Sequence, residues 1–201
     1  MMKKEHLPNL LTGLRLALIP LIIWQVLKAS QTAEGAPLFT AFWLFTLASF
    51  TDWLDGVLAR RWQVSSPLGA AMDHIADKLL IIGALVALMN AGLIFGPAVI
   101  AAYAIIFREV IISGLREGLA GQNVRLPVNF FGKSKTALQM LAVAACLLLP
   151  HAPISLSLII FISQSLVIAA GLITVISGLN YIWAARTALG MAAPQSDPRS
   201  E

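Results

Sequence analysis

Asp52-Trp53-Leu54-Asp55-Gly56-Val57-Leu58-Ala59-Arg60, followed after eight residues by Gly69, Asp73 and Asp77, decides how this chain is read. Four of its 10 acidic residues fall within this stretch. They lie in a sequence of 201 residues that is 58% hydrophobic, with a mean hydropathy of +0.82. Carboxylates gathered in so apolar a chain repel one another, and some take up protons unless a cation compensates them. Hard divalent cations, and the phosphates that they carry, are the natural counterparts of such a group.

Working outward, the apolar runs set the fold class. A membrane-spanning helix needs about 20 mostly apolar residues. Six such segments can be drawn, at 9–27, 38–61, 75–93, 97–118, 134–150 and 154–186. The expectation is an all-α integral membrane protein of six transmembrane helices, with a catalytic domain over 1–190 and a polar, disordered tail over 191–201. Met1–His6 is short and basic, and the apolar segment behind it is long and contains Arg15, which fits a first membrane helix better than a cleaved leader. The single cysteine, Cys146, cannot form an internal disulfide and is expected in packing.

A net charge of +4 is read here as topology and anionic substrates, not nucleic acid. Lys3 and Lys4 precede the first segment, and Arg60, Arg61 and Lys78 flank the second link. Arg108, Arg116, Arg125, Lys133 and Lys135 surround the fourth link, whereas the third and fifth carry no charge. The positive-inside rule then puts both termini and the aspartate end of the bundle in the cytoplasm.

At about 100° per residue, Asp52, Asp55, Gly56 and Ala59 share one stripe of the second helix. Gly69, Asp73 and Asp77 recur every fourth residue and share a stripe of the third. The short link between the two helices makes them antiparallel neighbours, so the four carboxylates converge near one face. They suffice for two cations of the Mg²⁺ or Mn²⁺ type, which clamp attacking and leaving oxygens in phosphoryl transfer. Gly56, Ala59 and Gly69 lack bulk and admit a ligand or a neighbouring backbone. Juxtamembrane ion pairing with Arg60, Arg61 and Lys78 is the bland alternative; it requires no such register. A divalent-cation transporter is a second alternative, but it needs carboxylates at mid-bilayer, not at one face beside basic residues.

These residues match, position for position, the signature of the CDP-alcohol phosphotransferase family: Asp52, Asp55, Gly56, Ala59, Arg60, Gly69, Asp73 and Asp77. The resemblance implies a dimeric six-helix fold with two divalent metals held by the four aspartates. It also implies attack of an alcohol on a CDP-linked donor with release of CMP. In family terms Asp52, Asp55 and Asp73 are metal ligands, while Asp77 is the general base and also touches metal. Pro8-Asn9-Leu10-Leu11-Thr12-Gly13-Leu14-Arg15, Arg108–Glu117 and Gly132-Lys133-Ser134-Lys135-Thr136 are similar to the bacterial phosphatidylglycerophosphate synthase branch. That branch implies CDP-diacylglycerol as donor, sn-glycerol 3-phosphate as acceptor and a bacterial inner membrane. The chain departs from the branch at His74, where proline is expected, without touching a ligand position.

Arg108, Arg116, Lys133 and Lys135 offer four cations near the aspartates, suited to a dianionic acceptor phosphate. Pairing of these cations with Glu109 and Glu117 is the competing reading. Inositol phosphate, phosphatidylglycerol or serine are the alternative acceptors. Asn9, Thr12 and Arg15 share a helical stripe and are assigned, with Gly56, Ala59, Arg60 and Gly69, to the CDP donor. An N-cap role is the plainer reading of Asn9. His74 is left outside the site.

Overall fold

A computed structural model describes residues 6–32, 35–62, 67–121, 130–151 and 155–192. The described residues form α1 (His6–Thr32), α2 (Ala36–Trp62), α3 (Pro67–Asn90), α4 (Pro97–Gly121), α5 (Phe130–Leu147), a 3₁₀ turn (Leu149–His151) and α6 (Leu156–Ala192). No strand occurs among them. Three stretches are long and apolar enough to cross a bilayer unaided: Leu10–Thr32, Pro97–Gly121 and Leu156–Leu189. Charged residues interrupt α2 and α3, the two helices that carry the aspartates. Together the six make an all-α membrane protein.

Proline marks two helix starts, Pro67 on α3 and Pro97 on α4, where a missing N–H costs nothing. The tail from 193 lies outside the described residues. Between α3 and α4, Gly92 and Gly96 take φ of 71° and 57°, a region closed to most side chains. From α6, Gln164 donates to the Leu93 carbonyl at 2.9 Å and accepts from the Phe95 N–H at 3.2 Å. One side chain thereby satisfies backbone groups that a turn at the bundle end would leave open.

The core is a seam of small and branched residues, with Ile22, Val26, Phe45, Leu80, Leu88, Val143 and Val167 almost wholly buried. Large apolar side chains point outward instead, including Trp24, Ile100, Phe107, Phe161, Leu172 and Trp183. Such a belt suits lipid, which imposes no penalty on exposed hydrocarbon. Small residues set the closest approaches. A Cβ on Gly171 of α6 would lie 2.7 Å from the Ala101 Cβ of α4, and one on Gly83 of α3 would lie 3.1 Å from Ile23 of α1.

The order of packing departs from the simple hairpin expectation. α2 and α3 do touch, but each packs chiefly on α1, which lies between them. α1 thereby brings a cation, Arg15, to the carboxylates of both helices.

Candidate active site

Alternating helix direction gathers the N-terminal halves of α1, α3 and α5 with the C-terminal halves of α2, α4 and α6. The chemistry-bearing residues all lie at that end. Asp52 and Asp55 come from α2 and Asp73 and Asp77 from α3, spaced so that each pair faces the same seam. One oxygen each of Asp52, Asp55 and Asp73 lies within 4.8 Å of the others.

At the centre stands Arg15 of α1, fully buried. Its Nη1 donates to Asp73 Oδ1 at 2.9 Å and to Asp77 Oδ1 at 2.8 Å. The same nitrogen is 3.1 Å from Asp52 Oδ1, an ion pair without a proton to spare for a third bond. Nη2 donates to Asp55 Oδ2 at 2.5 Å, whereas Nε is buried without an acceptor. One guanidinium among four carboxylates leaves net negative charge in the cluster. The cluster also has a closed and an open side. The Asp55 side chain is 5% exposed, but those of Asp73 and Asp77 are 39% and 44% exposed. Asp73 and Asp77 therefore form the mouth of the cluster, and Asp55 its floor.

An all-oxygen set from carboxylates on two helices, with three oxygens within reach of one ion, fits a divalent cation. Asp52, Asp55 and Asp73 are the residues that would hold it. The structure thus brings all four predicted aspartates together. It also places Arg15, assigned from sequence to the donor, directly on them. Thr12 is buried one turn from Arg15 on α1 and has interactions of its own, as does Gly69 on α3. Asn9 falls inside α1, which begins at His6, so the N-cap reading of Asn9 does not hold. The side chains of Asn9, Gly56, Ala59, Arg60 and Lys133 lie outside the described set.

A second polar cluster joins α4, α5 and α6. Glu109 accepts from Lys135 Nζ, and from Gln139 Nε2 at 3.2 Å. Gln139 also donates to Thr174 Oγ1 at 2.9 Å. Arg108 bonds Ser177 Oγ at 3.1 Å, sits 3.7 Å from Glu109, and lays its stem over Gly178. Arg116 lies over the Tyr181 ring, 5.4 Å from its centroid. Two of the predicted phosphate-binding cations, Arg108 and Lys135, are therefore held by one carboxylate, and Arg116 by an aromatic face.

Between the clusters lie Lys78 and His74 on α3. The His74 ring nitrogen Nε2 meets Lys78 Nζ, and Ser113 Oγ of α4 at 3.3 Å. Lys78 interacts electrostatically with Asp77 on one side and with Glu109 and Glu117 on the other. The pairing of Lys135 and Arg108 with Glu109 is the competing reading of these cations; sequence reasoning missed the roles of Gln139, Thr174 and Ser177. Their signal was present: each is a polar residue within an apolar helix, where polar groups are costly unless partnered.

The family model described as CDP-alcohol phosphatidyltransferase matches residues 5–187. A protein of Haemophilus influenzae named CDP-diacylglycerol–glycerol-3-phosphate 3-phosphatidyltransferase is 35% identical over 191 residues, covering 92% of this chain and 96% of its own. Proteins with that same name from Shigella flexneri and Escherichia coli K12 are 37% and 38% identical over 186 residues, covering 92% of this chain and 97% of theirs. With all four signature aspartates facing one point in a six-helix bundle, the chain belongs to the CDP-alcohol phosphatidyltransferase family.

Proposed function

We propose that this protein transfers a phosphatidyl group from CDP-diacylglycerol to sn-glycerol 3-phosphate, giving phosphatidylglycerophosphate and CMP. The observation that carries the reading is the meeting of four carboxylates from α2 and α3 beside a cationic cluster from α4 and α5. The named relatives support the same donor and acceptor.

Asp52, Asp55 and Asp73, with Asp77 completing the set, would hold two divalent cations, Mg²⁺ or Mn²⁺. When bound, the cations supply positive charge to the oxygens of the donor's pyrophosphate. The acceptor hydroxyl oxygen bonds to the phosphorus bearing the diacylglycerol group, and the bond from that phosphorus to the CMP oxygen breaks. Asp77 takes the hydroxyl proton, a role suited to its open position. Asn9, Thr12, Arg15, Gly56, Ala59, Arg60 and Gly69 are assigned to the CDP donor. Arg108, Arg116, Lys133 and Lys135 receive the acceptor's phosphate. Glu109 keeps Arg108 and Lys135 in place for it. The dianion gains more from several fixed cations than a neutral alcohol would.

The catalytic unit spans residues 1–190 and works as a homodimer in a bacterial inner membrane, termini and site facing the cytoplasm. Basic links on the aspartate side support that orientation. Purified protein supplied with CDP-diacylglycerol, divalent cation and isotope-labelled alcohols tests the assignment. Glycerol 3-phosphate is expected to drive CMP release. Release with a different alcohol, and none with glycerol 3-phosphate, would overturn the acceptor.

A further inference from the structure

The chemistry above needs cations on the aspartates, yet a side chain of the chain itself occupies the point where they meet. Arg15 is 0% exposed and contacts all four carboxylates within 3.1 Å. It is delivered by α1, which packs on both aspartate helices, so its position belongs to the fold and not to a mobile surface arm. A guanidinium and a divalent cation at this point would compete for the same carboxylate oxygens and repel one another. The arrangement also leaves the arginine incompletely used. Its two Nη atoms are spread over carboxylates from two helices, and its buried Nε has no acceptor. A guanidinium facing a phosphate or a single carboxylate can instead use a planar pair of N–H groups on one ligand.

We propose that Arg15 is an exchangeable counter-cation. It holds the aspartates together before cations bind, yields their oxygens when cations enter, and then turns its freed N–H groups to the donor's pyrophosphate. Cation loading and donor binding are thereby coupled through one side chain, and by linkage each strengthens the other. The proposal rests on the reading of Asp52, Asp55, Asp73 and Asp77 as the metal site.

The test is direct binding of Mn²⁺ to the purified full-length protein in detergent, read from the electron paramagnetic resonance of free Mn²⁺ with no lipid substrate present. Wild type, Arg15→Gln, Arg15→Lys and Asp55→Asn are compared, each with and without CDP. Both Arg15 variants are expected to bind Mn²⁺ on the order of tenfold more tightly than wild type, within the usual range of coupling between sites. In EDTA both are expected to melt below wild type, and to gain more than wild type from added Mn²⁺. CDP is expected to tighten Mn²⁺ binding in wild type but not in Arg15→Gln. Arg15→Lys retains a charge for the cluster, so the comparison survives if Arg15→Gln does not fold. Equal or weaker Mn²⁺ binding by the Arg15 variants, with binding lost in Asp55→Asn, overturns the exchange and leaves the metal site standing. Absence of Mn²⁺ binding in wild type and in every variant overturns both.

Discussion

Arg15 and Asp55 form the buried corner of the site, Nη2 to Oδ2 at 2.5 Å, while the other aspartates on the same guanidinium open toward solvent. Burial makes Asp55 the member least able to be replaced by water. Asp55→Asn keeps the shape but removes one charge from both the arginine and the cations. A charge-assisted hydrogen bond is worth about 1.5–3 kcal/mol, so the loss is felt in the fold as well. Asp55→Asn is expected to lower CMP release at least about 100-fold, in line with the loss of a catalytic electrostatic group. The same variant should lose the rise in melting temperature that Mn²⁺ gives the wild type.

Asp77 should behave differently. Its side chain is 44% exposed, at the mouth of the cluster where an acceptor hydroxyl can arrive. Asp77→Asn removes a proton acceptor without changing volume. General-base loss costs about 10²- to 10⁴-fold, so turnover should fall by that order while CDP still binds. CMP release and equilibrium CDP binding check the two halves separately. A variant that retains turnover removes Asp77 from the base role.

Much of this site was legible in the sequence, and the reason is periodicity. Asp52 and Asp55, then Asp73 and Asp77, sit at three- and four-residue spacings that any helix turns into a stripe. The neighbour of each stripe was harder to read. A short link between α2 and α3 suggested that they pair directly, but α1 lies between them, because helix order in a bundle follows packing and charge as well as chain order. Arg15 was visible as a functional residue on the Thr12 stripe, and its partners were not. Glu109 was visible only as an ion-pair partner for the neighbouring cations. Its part in binding Lys135 and Gln139 depends on how two helices are rotated against one another, which no local pattern encodes. The Gly171–Ala101 approach is likewise invisible until α4 and α6 are laid together.

That approach gives a prediction independent of chemistry. An added Cβ on Gly171 would sit 2.7 Å from the Ala101 Cβ and 3.0 Å from its Cα, and backbone cannot swing aside as a flexible side chain can. Gly171→Val must push α4 and α6 apart. Overpacking of this kind costs about 1–3 kcal/mol, and the melting temperature in detergent should fall accordingly. Gly178→Ala is the contrast: its new atom meets the Arg108 Cγ at 2.9 Å, a stem that can move. A smaller loss of stability is expected there, with activity reduced because Arg108 shifts.

Removal of metal offers a prediction about the whole cluster. Three carboxylate oxygens within 4.8 Å of one another, with one guanidinium to share, remain short of positive charge. Treatment with EDTA is expected to abolish CMP release, and Mg²⁺ or Mn²⁺ to restore it. Monovalent salt should not substitute, since screening weakens repulsion without supplying a ligand-bound charge. Restoration by salt alone would remove the metal from the reaction.

The Glu109–Lys135 pair separates structure from substrate binding. Lys135 is 5% exposed, and its ammonium meets Glu109, which also accepts from Gln139. Breaking a buried pair from one side costs about 3–5 kcal/mol, because the remaining charge is left without compensation. Glu109→Gln alone should therefore lower stability strongly. Lys135→Met with Glu109→Gln removes the buried ammonium together with its carboxylate, leaving Arg108 on Ser177, and should recover part of that stability. Activity should not recover with it, because the ammonium proposed to meet the acceptor's phosphate is gone. The double variant should show a raised KM for glycerol 3-phosphate, with the KM for CDP-diacylglycerol little changed. Thermal melting of the four proteins of this cycle, alongside both KM values, makes the distinction. Equal KM values in the wild type and the stable double variant would reduce Lys135 to a packing role.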